Sequence, residues 1–245
     1  MDFLKMENYY IKHNGYCPIC EKNVLFTSKH FWLRDHFICP SCKSIPRERA
    51  LFKAISEFFP NYKHLDIHES SPVNRGASLK LARECTNYDS SQYYPEITKG
   101  TKHPISRIRC EDLEDLSFPD NSFDIFITQD VMEHIFNPEK AFEEIARVLK
   151  PGGAHIFTVP LVNKQQRSQC RATKDEKGKI NYLHDPEYHG NPVDPQGALV
   201  TMHWGYDIAS YITEKTKCPT IIFMIDNIDL GIHAEYIDVL ISWKI

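Results

Sequence analysis

Apolar residues recur along this chain with two periods. In SIPRERALFKAISEFFP, Ala50, Leu51, Ala54, Ile55, Phe58 and Phe59 fall at i, i+1, i+4, i+5, i+8 and i+9, which is one face of a helix. Pro46 suits a first helical turn and Pro60 stops the element, so a helix over about 46–59 is expected. Arg47, Glu48 and Arg49 lie on its opening turn. They read as a solvated face with local ion pairs, the alternative being an anion clamp. From residue 64 the pattern shifts to short apolar strands separated by helical stretches: HLDIH (64–68), RIRCED (107–112), FDIFITQD (123–130) and HIFTVP (155–160). That alternation predicts an α/β chain with a parallel sheet. Between the last two strands, NPEKAFEEIARVLKPGG reads as a helix with Asn137 as N-cap and Pro138 in its first turn, ended by Pro151, Gly152 and Gly153. TIIFMID (220–226) and EYIDVLISWK (235–244) are expected to pair as antiparallel neighbours. The polar, Pro/Gly/His-rich stretch of about 161–205 reads as a functional lid.

Composition narrows the class. The 245 residues are 42% apolar and 25% charged with a formal charge of −4, which excludes disorder and fits a globular chain that buries a core. The longest apolar runs, such as IIFMI at 221–225, fall far short of the roughly 18 residues of a membrane span, so no membrane partner is expected. The first thirty residues lack the apolar core and small-residue cleavage site of a secretory signal, and a cytoplasmic protein is expected. Net negative charge also disfavours a nucleic-acid partner.

Four of the eight cysteines form two C-x-x-C knuckles, Cys17-Pro-Ile-Cys20 and Cys39-Pro-Ser-Cys42. Two knuckles flanking a strand-like segment, Val24 to Phe37, predict a ribbon whose four thiolates close a tetrahedral zinc site. A closed site leaves no position for water, so this Zn²⁺ is assigned to folding and not to catalysis. Cys85, Cys110, Cys170 and Cys218 share no such spacing and are read as small buried apolar residues.

The run EDLEDLSFPDNSFDIFITQDVMEHIFNPEKAFEEIARVLKPGGAHIFTVPL, residues 111–161, resembles class I S-adenosylmethionine-dependent methyltransferases over several motifs in order: an acidic residue, FPDNSFD, a strand, Glu-His, a helix, RVLKPGG and a strand. The resemblance covers about residues 61–245. It implies a Rossmann-like, doubly wound, mostly parallel sheet with an antiparallel C-terminal strand, and S-adenosylmethionine bound across the carboxyl ends of the strands. The expected organisation is a zinc ribbon (1–45), a linking helix (46–60) and a methyltransferase domain (61–245) with an acceptor-binding insertion at about 161–205.

The same resemblance assigns residues. Where such enzymes have a strand, an acidic residue and a Gly-x-Gly turn, this chain reads His64-Leu65-Asp66-Ile67-His68-Glu69-Ser70-Ser71-Pro72. Asp66 takes the acidic position and His68 that of the first glycine, so the turn is expected to be wider or differently aimed, with Glu69 beside it in the cofactor site. Asp89, with Gln92 as its substitute, is implied to hold the ribose hydroxyls. Asp112, with Glu111 as its rival, is implied to receive the adenine amino group beside the Leu113 backbone, and Gln129 and Asp130 line the floor near the methionine portion or the acceptor. Asp130-x-x-Glu133-His134 resembles a Mg²⁺ arrangement of some quinone-pathway methyltransferases, but the preferred account is that these residues cap and brace a helix start.

Methyl transfer from a sulfonium is an in-line displacement in which alignment carries much of the rate, and a hydroxyl acceptor gains from a general base. His134, His184, His189 and His203 are the candidates. His134 reads as scaffold more than base. In the cluster Tyr188-His189-Gly190-Asn191-Pro192, His189 is expected to act as base, with Tyr188 and Asn191 orienting the acceptor. Three functions follow: an O-methyltransferase of a small, sugar-like acceptor; an RNA base methyltransferase, against which the charge argues; and a binding module that has lost its cofactor and recruits a protein partner through the ribbon.

Overall fold

The computed structural model describes residues 8–191 and 194–245, so the first seven residues of the expected ribbon and Pro192 of the acceptor cluster lie outside the described residues. Strands β1 (Ile11–Cys17) and β2 (Lys22–Ser28) form an antiparallel hairpin across the first knuckle. A bridge from Thr27 to Ile38 brings the second knuckle beside it. The short α1 (Leu33–His36) lies between them, and α2 (Pro46–Phe58) follows. Helix α2 opens with Pro46 in its first turn, while the Ile45 N–H donates to the Glu48 carboxylate at 3.1 Å, one half of a capping box.

After α2 come β3 (Asp66–Ser70), α3 (Gly76–Glu84), β4 (Asn87–Gln92), β5 (Arg109–Cys110), β6 (Phe123–Gln129), α4 (Pro138–Val148) and β7 (Leu149–Thr158). Among the described residues the insertion contributes short paired strands: β8 (Gln169–Cys170), β9 (Ala172–Lys174), β10 (Ile180–Tyr182), β11 (Tyr188–His189), β12 (Ala198–Leu199) and β13 (Met202–His203). Helix α5 (Ile208–Thr216), β14 (Thr220–Phe223) and β15 (Val239–Trp243) complete the chain.

The main sheet runs β5-β4-β3-β6-β7-β15-β14, with β3 to β7 parallel and β15 antiparallel to both of its neighbours, β7 and β14. This is the expected Rossmann-like architecture with an antiparallel C-terminal strand. Alternation sorts the buried side chains onto two faces. Ile67, Ile125, Ile127, Ile156 and Ile241 share a core with α2 and α3, whereas Phe126, Phe157 and Leu240 meet α4, α5 and Trp204. The Asn137 side chain caps α4 by accepting from the Lys140 N–H at 3.2 Å. Pro151, Gly152 and Gly153 do not end that helix. It stops at Val148, and β7 begins at once, with register stepping from Leu149 opposite Phe123 to Ala154 opposite Ile125. The Pro-Gly-Gly segment is the bulge. A Cβ on Gly153 would sit 2.8 Å from the Asp124 carbonyl oxygen, so only glycine lets the strands close there.

The opening turn of α2 is not a solvated face, because Glu48 and Arg49 are wholly buried. The ribbon packs on the sheet domain through them. Cys17, Phe26 and Phe37 belong to the same apolar cluster as Ile67, Ile125 and Ile156. At that junction the Arg49 guanidinium donates to the carbonyls of Phe37 (2.6 Å), Ser44 (2.5 Å) and Gly231 (2.6 and 3.0 Å), with its charge 4.7 Å from the centre of the Phe26 ring. Burial pushes it down to about 10, so it stays charged at neutral pH. Glu48 closes the other side, accepting from Arg75 at 2.8 Å.

Replacing Arg49 by Met orphans the buried carbonyls of Phe37 and Gly231. At about 1–3 kcal/mol each, urea unfolding is expected to show a loss of about 2–6 kcal/mol, and a variant as stable as the parent would contradict this account. A second prediction concerns His155, which is buried on β7, stacked on Phe157 at 4.1 Å and 3.0 Å from Thr128 Oγ1. Burial pushes its pKa down to about 3. Its folded value lies below the unfolded one of about 6.5, so its stabilisation is full above pH 6.5 and falls by up to about 1.4 kcal/mol per pH unit below it. His155→Phe should flatten the dependence of unfolding free energy on pH between 6.5 and 5 by that increment.

Candidate active site

The carboxyl ends of the parallel strands open onto one large cavity of about 1340 Å³. Its floor is set by Ser70 of β3, Gln92 of β4, Asp112 after β5, and Gln129 and Asp130 at the end of β6. The chain leaves β3 toward β4 and β5 and returns to β6 on its other side, which places the crevice at a topological switch point. One ligand commonly fills about 300–1,000 Å³, so this volume has room for two reactants. The ribbon side supplies Trp32, Arg34 and Arg47 as a wall, and the insertion supplies Glu187, His189 and Asn191 opposite.

The expected register of the first motif is corrected by three residues. Strand β3 continues to Ser70, and the chain turns at Ser71, a non-glycine residue in the left-handed region with φ 59°. His68 is therefore inside the sheet, buried against Phe118, Phe123 and Phe126, with its Nε2 2.9 Å from Ser91 Oγ. Asp66 lies at the opposite, amino end of β3, paired with Lys150 at 2.5 Å. Neither lines the cavity. Glu69 is wholly buried and accepts hydrogen bonds from Ser78 (2.6 Å), Tyr88 (2.7 Å) and Gln129 (2.8 Å). Burial raises its pKa against those donors. Its contact with the site runs through Gln129, whose amide it orients, leaving the Gln129 Oε1 buried at the cavity with no hydrogen-bond partner among the described residues.

Asp89 faces His68 across β3 and β4, 3.8 Å from its Nδ1, and does not line the cavity, whereas Gln92, three residues on, does. Glu111 and Asp112 both line the cavity but differ in how far their carboxylates are already engaged. Glu111 is consumed by Arg109 (2.6 Å) and by the N–H and hydroxyl of Ser117 (2.9 and 2.5 Å). Asp112 accepts the Glu114 N–H at 2.9 Å and lines the cavity beside Leu113.

Asp130 does not brace a helix start. Residues 131–136 are not helical, and α4 begins only at Pro138. The Asp130 carboxylate instead takes Arg34 (2.6 Å), Arg47 (3.1 Å) and the Thr158 hydroxyl (3.0 Å). Burial pushes its pKa up, but the two guanidiniums prevail and hold it well below the usual carboxylate range. The Arg47 Nη1 is buried at the cavity without a hydrogen-bond partner among the described residues. Trp32 and Arg34 carried no signal in the sequence, Arg34 meeting Asp130 across 96 positions, whereas Arg47 belongs to the opening turn whose alternative reading was an anion clamp.

On the insertion side, β11 points His189 toward the cavity and Tyr188 away from it, where the Tyr188 hydroxyl lies 3.5 Å from that of Tyr182. Asn191 lines the cavity with His189. The rings of His134 and His189 stand edge to face at 5.2 Å, with Glu133 beneath both.

Strand order and crevice define a doubly wound, Rossmann-like α/β class of fold. Within it, residues 73–157 match the family model described as a methyltransferase domain. Over 98 residues, 40% of this chain and 14% of the relative, the sequence is 33% identical to a glycine/sarcosine/dimethylglycine N-methyltransferase of Actinopolyspora halophila. Over 100 residues, 39% of this chain and 40% of the relative, it is 28% identical to the uncharacterized methyltransferase YcgJ of Bacillus subtilis. The chain thus spans less than half the length of these curated relatives. A solved S-adenosylmethionine dependent methyltransferase from Mesorhizobium loti superposes with a TM-score of 0.46 at 14% identity, covering 79% of this chain and 96% of that one. Among the described residues no helix is long and apolar enough to cross a membrane.

Proposed function

We propose that this chain is an S-adenosylmethionine-dependent methyltransferase acting on a small hydroxyl-bearing acceptor such as a sugar or nucleotide sugar. The observation that carries the reading is the two-reactant cavity at the strand ends of a segment matching a methyltransferase family. Its polar groups suit the cofactor: Asp112 and the Leu113 backbone for the adenine, Gln92 for the ribose, the vacant Gln129 Oε1 for the methionyl ammonium, and the Arg47 guanidinium for the carboxylate. When bound, S-adenosylmethionine supplies an electrophilic methyl group on a sulfonium. The chain's own part is alignment, with Glu69 and Asp130 fixing Gln129 and Arg47 on one side and His189 and Asn191 receiving the acceptor on the other. The polar lining of that second side, with Glu187, Asn191 and Asp194, favours a hydroxyl-rich molecule. The A. halophila relative is named for N-methylation, which makes an amine the second acceptor class to test.

The four cysteines fit a structural zinc. Cys17 Sγ lies 3.7 Å from Cys42 Sγ, and Cys20 Sγ lies 3.8 Å from Cys39 Sγ. A tetrahedron with Zn–S bonds of about 2.3 Å has edges of about 3.8 Å.

Calorimetric titration tests the cofactor reading. S-adenosylmethionine and S-adenosylhomocysteine should bind in the micromolar range, roughly −8 kcal/mol. Asp112→Ala should weaken binding by about tenfold or more, as the loss of a charged hydrogen bond implies. His189→Ala should keep that affinity and lose turnover in a screen of hydroxyl and amine acceptors. No binding of either ligand by metal-replete protein would overturn the reading. For the ribbon, elemental analysis should find about one zinc per chain, and Cys39→Ser should lose it together with a lowered unfolding temperature.

A further inference from the structure

Three donors converge on the insertion side of the cavity. Glu133, His134 and His189 each present a ligand atom within 4.8 Å of the others, and Glu133 Oε1 lies 3.7 Å from both His134 Nε2 and His189 Nδ1. Glu133 is 2% exposed, and neither of its carboxylate oxygens has a hydrogen-bond partner among the described residues. A buried carboxylate in that condition is costly unless a cation meets it. The imidazoles are turned to supply lone pairs to the same point. His134 Nδ1 lies 2.9 Å from the Leu199 carbonyl, an obligate acceptor, so Nδ1 carries the proton and Nε2 the lone pair. His189 Nε2 lies 3.3 Å from Glu187 Oε1, which leaves its Nδ1 free toward Glu133 in the same way. An acceptor on the far nitrogen is how metal-ligating histidines are oriented.

We propose that Glu133, His134 and His189 form a divalent metal site, separate from the four-cysteine cluster and open to the cavity. Two imidazoles and one carboxylate select a first-row transition ion such as Mn²⁺, Fe²⁺, Co²⁺ or Zn²⁺ over Mg²⁺. Three protein ligands leave coordination positions facing the cavity, where His134 and His189 line the wall. The set is not the one the Asp130-x-x-Glu133-His134 spacing suggests, because Asp130 is taken by two arginines and the third ligand comes from the insertion. The site stands on its own geometry, while its use in holding an acceptor hydroxyl rests on the methyl-transfer reading. His189 then serves that acceptor as a metal ligand and not as a free base.

The test is cobalt titration of full-length protein that retains its ribbon zinc, followed by visible absorption and elemental analysis. The parent should take up about one Co²⁺ beyond the zinc, with d–d bands and no thiolate charge-transfer band. Glu133→Gln and His189→Ala should keep the zinc and lose the cobalt. Glu133→Gln is expected to fold, since the Thr201 and Met202 N–H groups bond the backbone oxygen of Glu133 and not its carboxylate. Glu187→Gln should weaken cobalt binding by about 10–100-fold. No cobalt beyond the ribbon, or equal uptake by the parent and both ligand variants, overturns the proposal. Neither result bears on cofactor binding, which is titrated separately in cobalt-free protein.

Discussion

The buried guanidinium of Arg49 is the constraint on which the architecture depends. It reaches two carbonyls of the ribbon, at Phe37 and Ser44, and one of the C-terminal segment, at Gly231, 182 positions away. A charge so deeply buried is tolerable only because every donor direction meets an acceptor. Gly231 makes this possible: its φ is 66°, and a Cβ there would lie 2.6 Å from the Phe26 ring and 2.9 Å from Arg49 Nε. A side chain at 231 would displace the residue that holds ribbon and sheet together.

With the ribbon fixed in this way, one of its residues and one from the helix after it enter the site. Arg34 on α1 and Arg47 on α2 both reach Asp130 at the end of β6. The four-cysteine cluster, the linking helix and the cavity form a mechanical series: the cysteines shape the ribbon, Arg49 docks it, and the docked ribbon and helix each deliver one cation to the carboxylate beside Gln129. A ribbon in this position is part of the cavity wall. That gives a physical role to the proposed ribbon zinc in a chain whose proposed chemistry lies elsewhere.

The insertion builds the opposite wall by different means. Its two- and three-residue strands have little core of their own, and its path is fixed by bonds to the scaffold, such as Thr201 to the backbone of Glu133 and Ile135 and the Trp204 indole to Met132. These bonds bring His189 over Glu133 and His134. The proposed acceptor and metal chemistry is therefore assembled from two segments whose meeting no linear spacing announces.

Much was legible in the sequence because it depends on local periodicity. The helical face of 46–59, the N-cap Asn137, the antiparallel pairing of the last two strands and the paired knuckles follow from neighbours within a few residues. Asp112 was pointed to by the family resemblance, and the structure puts it after β5 on the cavity lining. What the sequence could not settle was register and direction. Whether the chain turns at His68 or at Ser71 decides whether a histidine stands in the cavity or inside the sheet, and β3 runs on because Glu69 is satisfied by Ser78, Tyr88 and Gln129, all distant in sequence. Likewise the charged opening turn of α2 reads as solvated until a second domain surface covers it. By itself the sequence determined the strongly periodic elements, the helices of 46–59 and 138–148 and the apolar strands, since those are set by short-range backbone and burial preferences. Helices α3 and α5 and the short strands of the insertion carried too weak a pattern. Tertiary structure alone decided which charges are buried and which side chains share a site, because a buried ion or a ligand set is stable only when partners from distant segments arrive together.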